Sequence, residues 1–380
     1  MKRWLVRFIL LGVGLAVVGF LVAASGLISI KASSGHWRIT EFFLRFGMKR
    51  SVATHSLGTK VPTNLADRDL IQKGAAHYEF ACRSCHGEPG APRPRVAAHM
   101  LPVPPDLEPR VRESDAKKLF QVVKHGMKFT GMPAWPAQER EDEVWEMVAF
   151  LLKYPELDAA AYRRLAGRDT VETPDVSPIP SPPPPVVAQS CVRCHGADGL
   201  SRGNAAMPIL AGQRAEYMRA ALDAYATDHR KSGTMGPVAV ELSAAARDEL
   251  ADYYARLPRP ARVLDREGEI DPKAIARGEA IARNGIPAQR VPICLECHGT
   301  TGSRGKPEYP LLAGQPARYL ELQLALLREN RRGGSQHAHL MQPVAARLTQ
   351  DQARDVAAYF ASLGSVSSPD ARAKAESTKP

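Results

Sequence analysis

Three times in 380 residues the chain sets two cysteines two residues apart with a histidine directly behind them: Cys82, Cys85 and His86; Cys191, Cys194 and His195; Cys294, Cys297 and His298. Such a pattern can do three kinds of chemistry. A structural zinc site needs four ligands, usually two pairs brought together, so pairs from different segments would have to converge although each segment reads as a complete unit. A thioredoxin-like dithiol expects a βαβ setting, and no strand alternation of useful length is present. Covalent haem attachment uses thiols at i and i+3 to form thioethers with two vinyl groups, and the adjacent imidazole to bind iron. All six cysteines fall in these motifs, leaving none for a structural disulfide. The expectation is three haem c groups.

An iron held by histidine needs a sixth ligand, or an open face for chemistry. A methionine recurs 46, 40 and 43 residues past the three histidines: Met132, Met235 and Met341. Each stands at or near a proline (Pro133, Pro237, Pro343) and just ahead of an apolar helical stretch. Thioether ligation raises the reduction potential relative to a second imidazole and closes the iron to small molecules, which points to electron transfer. Met127 competes with Met132, whose Gly-Met-Pro setting favours it. Met100, Met147, Met207 and Met218 are read as core packing, and His125, His337 and His339 as ordinary loop or surface histidines.

The elements that must position these residues divide at proline. Residues 171–185 hold seven prolines, a stiff extended spacer; a second break covers 257–272. The domain reading is a membrane anchor or signal peptide (1–31), a juxtamembrane segment (32–65), domain one (66–156), a linker (157–185), domain two (186–258), a linker (259–272), domain three (273–364) and a frayed tail (365–380). Domains two and three are internal repeats: "PILAGQ" at 208–213 matches "PLLAGQ" at 310–315, and Met235 to Leu257 and Met341 to Leu363 are both steps of 22. Domain one keeps the order of motif, proline-rich loop, "TGMPAW" and apolar helix. The fold class is all-α, and the spacer suggests that domain one is tethered independently of a tighter pair formed by the other two.

Net charge is +11, yet Lys and Arg are scattered and aromatics are sparse, so nucleic-acid binding is excluded. An uncharged run of 23 residues, Phe8 to Ile30, follows Lys2, Arg3 and Arg7. It is long enough to cross a hydrocarbon core of about 30 Å, with a cytoplasmic N-terminus and an exported remainder. A signal peptide cleaved near "VAAS" (22–25) is the alternative. Beyond it, Ile39, Phe42, Phe43 and Phe46 share one helical face, which suits either a membrane interface or docking on domain one.

All three segments resemble the class I c-type cytochromes, and domains two and three together resemble the periplasmic dihaem cytochromes made of two fused class I domains, which share the "CHG…P-x-LAGQ…Y…M-x-P…L…Y-[YF]" layout. The resemblance implies three tandem small helical folds, each wrapped round a haem, with N- and C-terminal helices crossing. In domain one it places Gly74 at the close crossing and Tyr78 or Phe80 against Trp145 and Phe150. It implies that the carbonyls of Pro208, Pro310, and Pro104 or Pro105 orient the axial histidines. Two departures stand out: domain two has a truncated leading helix, its haem edge more exposed or covered by a neighbour, and domain three carries an insertion, "RNGIPAQRVPI".

The expected function is a membrane-anchored trihaem cytochrome on the periplasmic side of a bacterial inner membrane. It would carry single electrons between a protein donor and acceptor such as a respiratory complex, terminal oxidase or dehydrogenase. It is read as a carrier, not an enzyme. The alternatives are the cytochrome subunit of a quinoprotein or flavoprotein dehydrogenase and, from another class, a haem peroxidase, which would need an exchangeable sixth site.

Overall fold

The computed structural model describes residues 2–168, 183–259, 270–299 and 306–363. Most of the proline-rich spacer, the second linker and the tail lie outside them. Among the described residues the chain is helical, with two isolated β-bridges and no strand.

Helix α1 (Lys2–Ala24) is 23 residues of almost wholly apolar sequence, none of them buried among the described residues. At about 1.5 Å per residue it is some 34 Å long, enough to cross a bilayer. Helix α2 (Arg38–His55) follows and meets domain one on the helix Ala116–His125. Its aromatic face stays bare, with Phe42, Phe43 and Phe46 all more than half exposed.

Domain one pairs α3 (Arg68–Ala81) with α5 (Glu141–Lys153), flanked by α4 (Ala116–His125) and α6 (Ala159–Ala166). Asp67 caps α3 by accepting from the Asp69 and Leu70 amides. Glycine is required where α3 and α5 cross: a Cβ on Gly74 would stand 2.2 Å from the Glu146 carbonyl oxygen. Tyr78 is the aromatic that enters this core, its ring 5.1 Å from Phe150, whereas Phe80 is 45% exposed. Trp145 stacks on Phe120 instead. The domain also runs further than expected. Residues 157–168 are part of its core and not of a linker, since α6 buries Tyr162, whose hydroxyl donates to Glu79 on α3.

Domain two has α7 (Pro185–Ser190), α8 (Ala215–Ala226), α9 (Met235–Val240) and α10 (Ala244–Arg256); domain three has α11 (Pro272–Asn284), α12 (Ala317–Arg328), α13 (Ala338–Arg347) and α14 (Gln350–Ser362). The leading helix α11 crosses α14 at Gly278, as α3 crosses α5 at Gly74. Its counterpart α7 is six residues long, as the sequence suggested. The insertion in domain three closes into a tight loop pinned by the Ile286–Val291 bridge.

Domain one is not held apart. Asn204 donates to the Asp69 carbonyl and to Gln72, Arg318 pairs with Asp67 and Asp69, and Arg202 donates to the Arg164 and Leu165 carbonyls of α6. Domain one therefore packs against the 202–204 loop of domain two and against Arg318 of domain three. The expectation of an independent tether fails because these partners lie as much as 251 residues apart and carry no local signature.

Candidate haem centres

Each Cys-x-x-Cys-His unit is a single helical turn. The His86, His195 and His298 amides bond the carbonyls of Cys82, Cys191 and Cys294 at 2.9, 2.9 and 3.0 Å. The turn sets both thiols on one face with the imidazole beside them. Gly87 and Gly196 follow at φ 77° and 75°, reversing the chain where a side chain would be strained. Their carbonyls are caught by the Tyr78 and Tyr254 hydroxyls at 2.8 and 3.0 Å.

The imidazoles are turned by backbone carbonyls. His298 Nδ1 is 2.9 Å from the Pro310 oxygen, and His86 Nδ1 is 3.5 Å from that of Pro105, which answers the choice between Pro104 and Pro105. A ring that donates through Nδ1 keeps Nε2 free to bind a metal. At His195 the corresponding Pro208 carbonyl acts on the ring without forming a full hydrogen bond. The same oxygen accepts from the Ser201 hydroxyl, and His195 Nδ1 is buried without a hydrogen-bond partner. Burial lowers the His195 pKa to about 4, aided by Lys73 and opposed by the Pro208 carbonyl; burial also lowers His86 and His298.

The thiols are suited to neither alternative chemistry. Burial pushes Cys82 and Cys191 up to about 12 and Cys294 to about 11, the reverse of the lowered values that mark reactive dithiols. Among the described residues no three His, Cys, Asp or Glu side chains converge to hold a metal ion, as zinc would require.

One continuous, mainly apolar cavity joins domains two and three. It is lined by Cys191, Cys194, His195 and Met235 from one and Cys294, Cys297, His298 and Met341 from the other, so eight of the twelve predicted site residues are brought together. Met235 opens α9, and Met341 lies in the first turn of α13. Met207, Met218 and His337 share the wall. His337 packs edge-on to Tyr309, 5.2 Å between ring centroids, and is more enclosed than its sequence suggested. His125 and His339 are exposed, as expected.

A local pseudo-twofold relates the two halves. Gln315 donates to the Ile209 carbonyl and accepts the Ile209 amide, while Gln213 does the same with Leu311, all at 2.7 to 3.0 Å. The repeated "LAGQ" is thus an interface device, a role that its position within either repeat alone does not reveal. Arg230 is buried and Arg332 half-buried in the same wall, and their side chains bond the Tyr217 and Tyr319 hydroxyls, Gln323 and the Gly333 carbonyl, with no carboxylate among these partners. Haem brings two carboxylates, and guanidiniums with no carboxylate among these partners suit them. Apolar walls, free thiols in pairs, oriented imidazoles and these arginines fit the haem that the motifs imply.

In domain one, Cys82, Cys85 and His86 are placed by their own turn. Met132 is half-buried on the loop after α4, its carbonyl accepting the Met127 amide at 3.1 Å, and Met100 stands over Gly131. Trp135 of the same loop is buried against His77, with ring centroids 4.8 Å apart.

Comparison with known proteins agrees with this chemistry. Residues 69–151 match the family model of the cbb3-type cytochrome c oxidase subunit III, and residues 275–364 match that of cytochrome c. Cytochrome c-552 of Acidithiobacillus ferridurans is 35% identical over 48% of this chain and 77% of its own. A thiosulfate dehydrogenase electron acceptor of Stutzerimonas stutzeri is 34% identical over 47% and 80%, and cytochrome c4 of Thiocapsa roseopersicina 33% over 46% and 86%. The chain belongs to the class I c-type cytochromes, resembles their dihaem members, has haem c as its cofactor at three Cys pairs, and transfers electrons.

Proposed function

We propose that the protein is a membrane-anchored trihaem relay on the periplasmic face of a bacterial inner membrane. It passes single electrons through His86/Met132, His195/Met235 and His298/Met341 haems between a protein donor and a protein acceptor. The observation that supports this reading is the shared cavity, lined by His195 and Met235 from one domain and His298 and Met341 from the next, while domain one supplies part of its wall. Side by side, such centres exchange electrons without a diffusing intermediate. Helix α1 supports the anchor. The bare aromatic face of α2, with Arg38, Arg45, Lys49 and Arg50 beside it, suits an anionic headgroup layer.

The decisive experiment replaces Met132, Met235 and Met341 by leucine one at a time in the full-length holoprotein. Each variant should lose about one third of the far-red methionine-to-iron absorption of the ferric protein and lower one of three midpoint potentials. An unchanged spectrum in any variant rejects that methionine. Rapid carbon monoxide binding by the ferrous wild type would argue for an open iron and a haem enzyme.

A second reading keeps the cofactors and makes the chain the electron-accepting partner of a dehydrogenase. Relatives named as thiosulfate dehydrogenase electron acceptors favour it. Reduction of the purified protein by thiosulfate only when such a dehydrogenase is present would support it, and no reduction under those conditions would reject that donor.

A further inference from the structure

Domain one reaches into the loop that carries Met235. Glu143, on α5, has a side chain only 5% exposed, and four donors converge on its carboxylate. These are the Ser232 hydroxyl and the Gly233 amide at 2.6 Å each, the Arg140 guanidinium at 3.0 Å and the Trp135 indole N–H at 3.3 Å. The Ser232 oxygen in turn accepts the Met235 amide at 2.9 Å and the Thr234 amide at 3.2 Å. Two hydrogen bonds therefore connect a carboxylate of domain one to the backbone of Met235.

Steric fit reinforces the grip. A Cβ on Gly233 would lie 2.1 Å from Trp135 Nε1, so the loop is seated directly against the indole. Arg140 also donates to the Lys231 carbonyl at 2.6 Å. Lys73, Arg140, Glu143 and Glu146 line the same cavity as Cys191, His195 and Met235, so the middle site is closed by another domain. Among the described residues, the loop before Met341 receives no comparable carboxylate.

We propose that Glu143 is a positioning residue for the middle haem, holding the Met235 loop against its iron and fixing a negative charge beside it. The inference rests on the reading of Met235 as an axial ligand. Buried and bound by four donors, the carboxylate is held in one orientation. Its charge favours the oxidised haem, which carries one more positive charge than the reduced form. Domain one thereby sets the potential of a haem that it does not attach.

The test uses full-length holoprotein carrying Glu143→Gln, Glu143→Asp, Ser232→Ala or Met235→Leu. The readouts are the far-red methionine-to-iron absorption and the three midpoint potentials from spectroelectrochemical titration. Glu143→Gln should raise one midpoint and leave the other two in place, with Glu143→Asp restoring most of the shift. Ser232→Ala should move the same midpoint or weaken about one third of the absorption. It leaves three of the four donors on Glu143, so it carries the test if Glu143→Gln fails to assemble. Unchanged potentials and spectra in both variants, or equal shifts of all three haems, would overturn the inference. Met235→Leu separates the two failures. If it removes a third of the absorption while the Glu143 and Ser232 variants do nothing, only the positioning role is lost. If it removes none, the ligand assignment and the inference fall together.

Discussion

Replacing Gly278 by alanine should loosen domain three. A Cβ at this position would lie 1.9 Å from the Asp355 carbonyl oxygen and 2.8 Å from the Tyr359 Cβ, on helix α14. Neither obstacle can rotate away, because one is backbone and the other is the first atom of a buried side chain. Restoring a separation of 3.0 Å, below which Cβ contacts essentially never occur, requires α11 and α14 to part by about 1.1 Å at their crossing. Overpacking of this kind costs roughly 1–3 kcal/mol, and rigid neighbours place it toward the upper end. Alanine recovers about 1 kcal/mol as the better helix former. The net is about 2 kcal/mol, or roughly thirty-fold more frequent opening. Hydrogen–deuterium exchange on the full-length holoprotein would read this in peptides from 272–284 and 350–362. The helical Gly236, which has only the Tyr225 carbonyl within 4 Å, at 3.9 Å, serves as the control. Exchange that is unchanged or slower in Gly278→Ala would refute the reasoning.

Further outcomes concern the interfaces and the charges. Gln315→Ala should leave the amide and carbonyl of the fully buried Ile209 without partners, at roughly 1–3 kcal/mol for each orphaned group, and the separation of domains two and three should show as an earlier first unfolding transition; coincident transitions would refute it. Glu146 is raised by burial to about 7, Lys73 working against the rise and Asp142 and Glu143 adding to it. The folded state therefore holds a proton that the unfolded chain has released, so this group's contribution to stability declines as pH rises from about 4.5 to about 7. Glu146→Gln should flatten that part of the stability profile measured by chemical denaturation, and an unchanged slope would reject the assignment. Replacing Phe42, Phe43 and Phe46 together by serine, in protein lacking residues 1–31, should weaken sedimentation with vesicles containing anionic lipid, while equal sedimentation would remove α2 from the membrane reading.

What could be read from the sequence was what is local or repeated. The three motifs lie within single turns, and Met235 and Met341, picked out by alignment of the two copies, both line the shared cavity. Gly74 and the short α7 were also legible. Tyr78 rather than Phe80 faces the core because the phase of α3 is settled by packing on Phe150, and both residues look alike in composition. The Pro208 carbonyl was expected on His195; it still acts on that ring, but the ring nitrogen makes no full hydrogen bond and the Ser201 hydroxyl donates to the same oxygen. Domain one's embrace of the middle domain was invisible because its partners, such as Glu143 and Ser232, are 89 residues apart, and the intervening prolines suggested distance.

The paired glutamines carry an implication about descent. A patch in which each copy gives and receives the same contacts is self-complementary, the arrangement by which two identical chains form a closed dimer. Fusing the copies relieves each of the duty to be identical outside that patch. One copy has a thirteen-residue leading helix and the other a six-residue one, and it is this second copy that domain one meets through Asn204 and Arg202. Symmetry persists where Gln213 and Gln315 clasp Leu311 and Ile209, and the two copies differ where domain one is met.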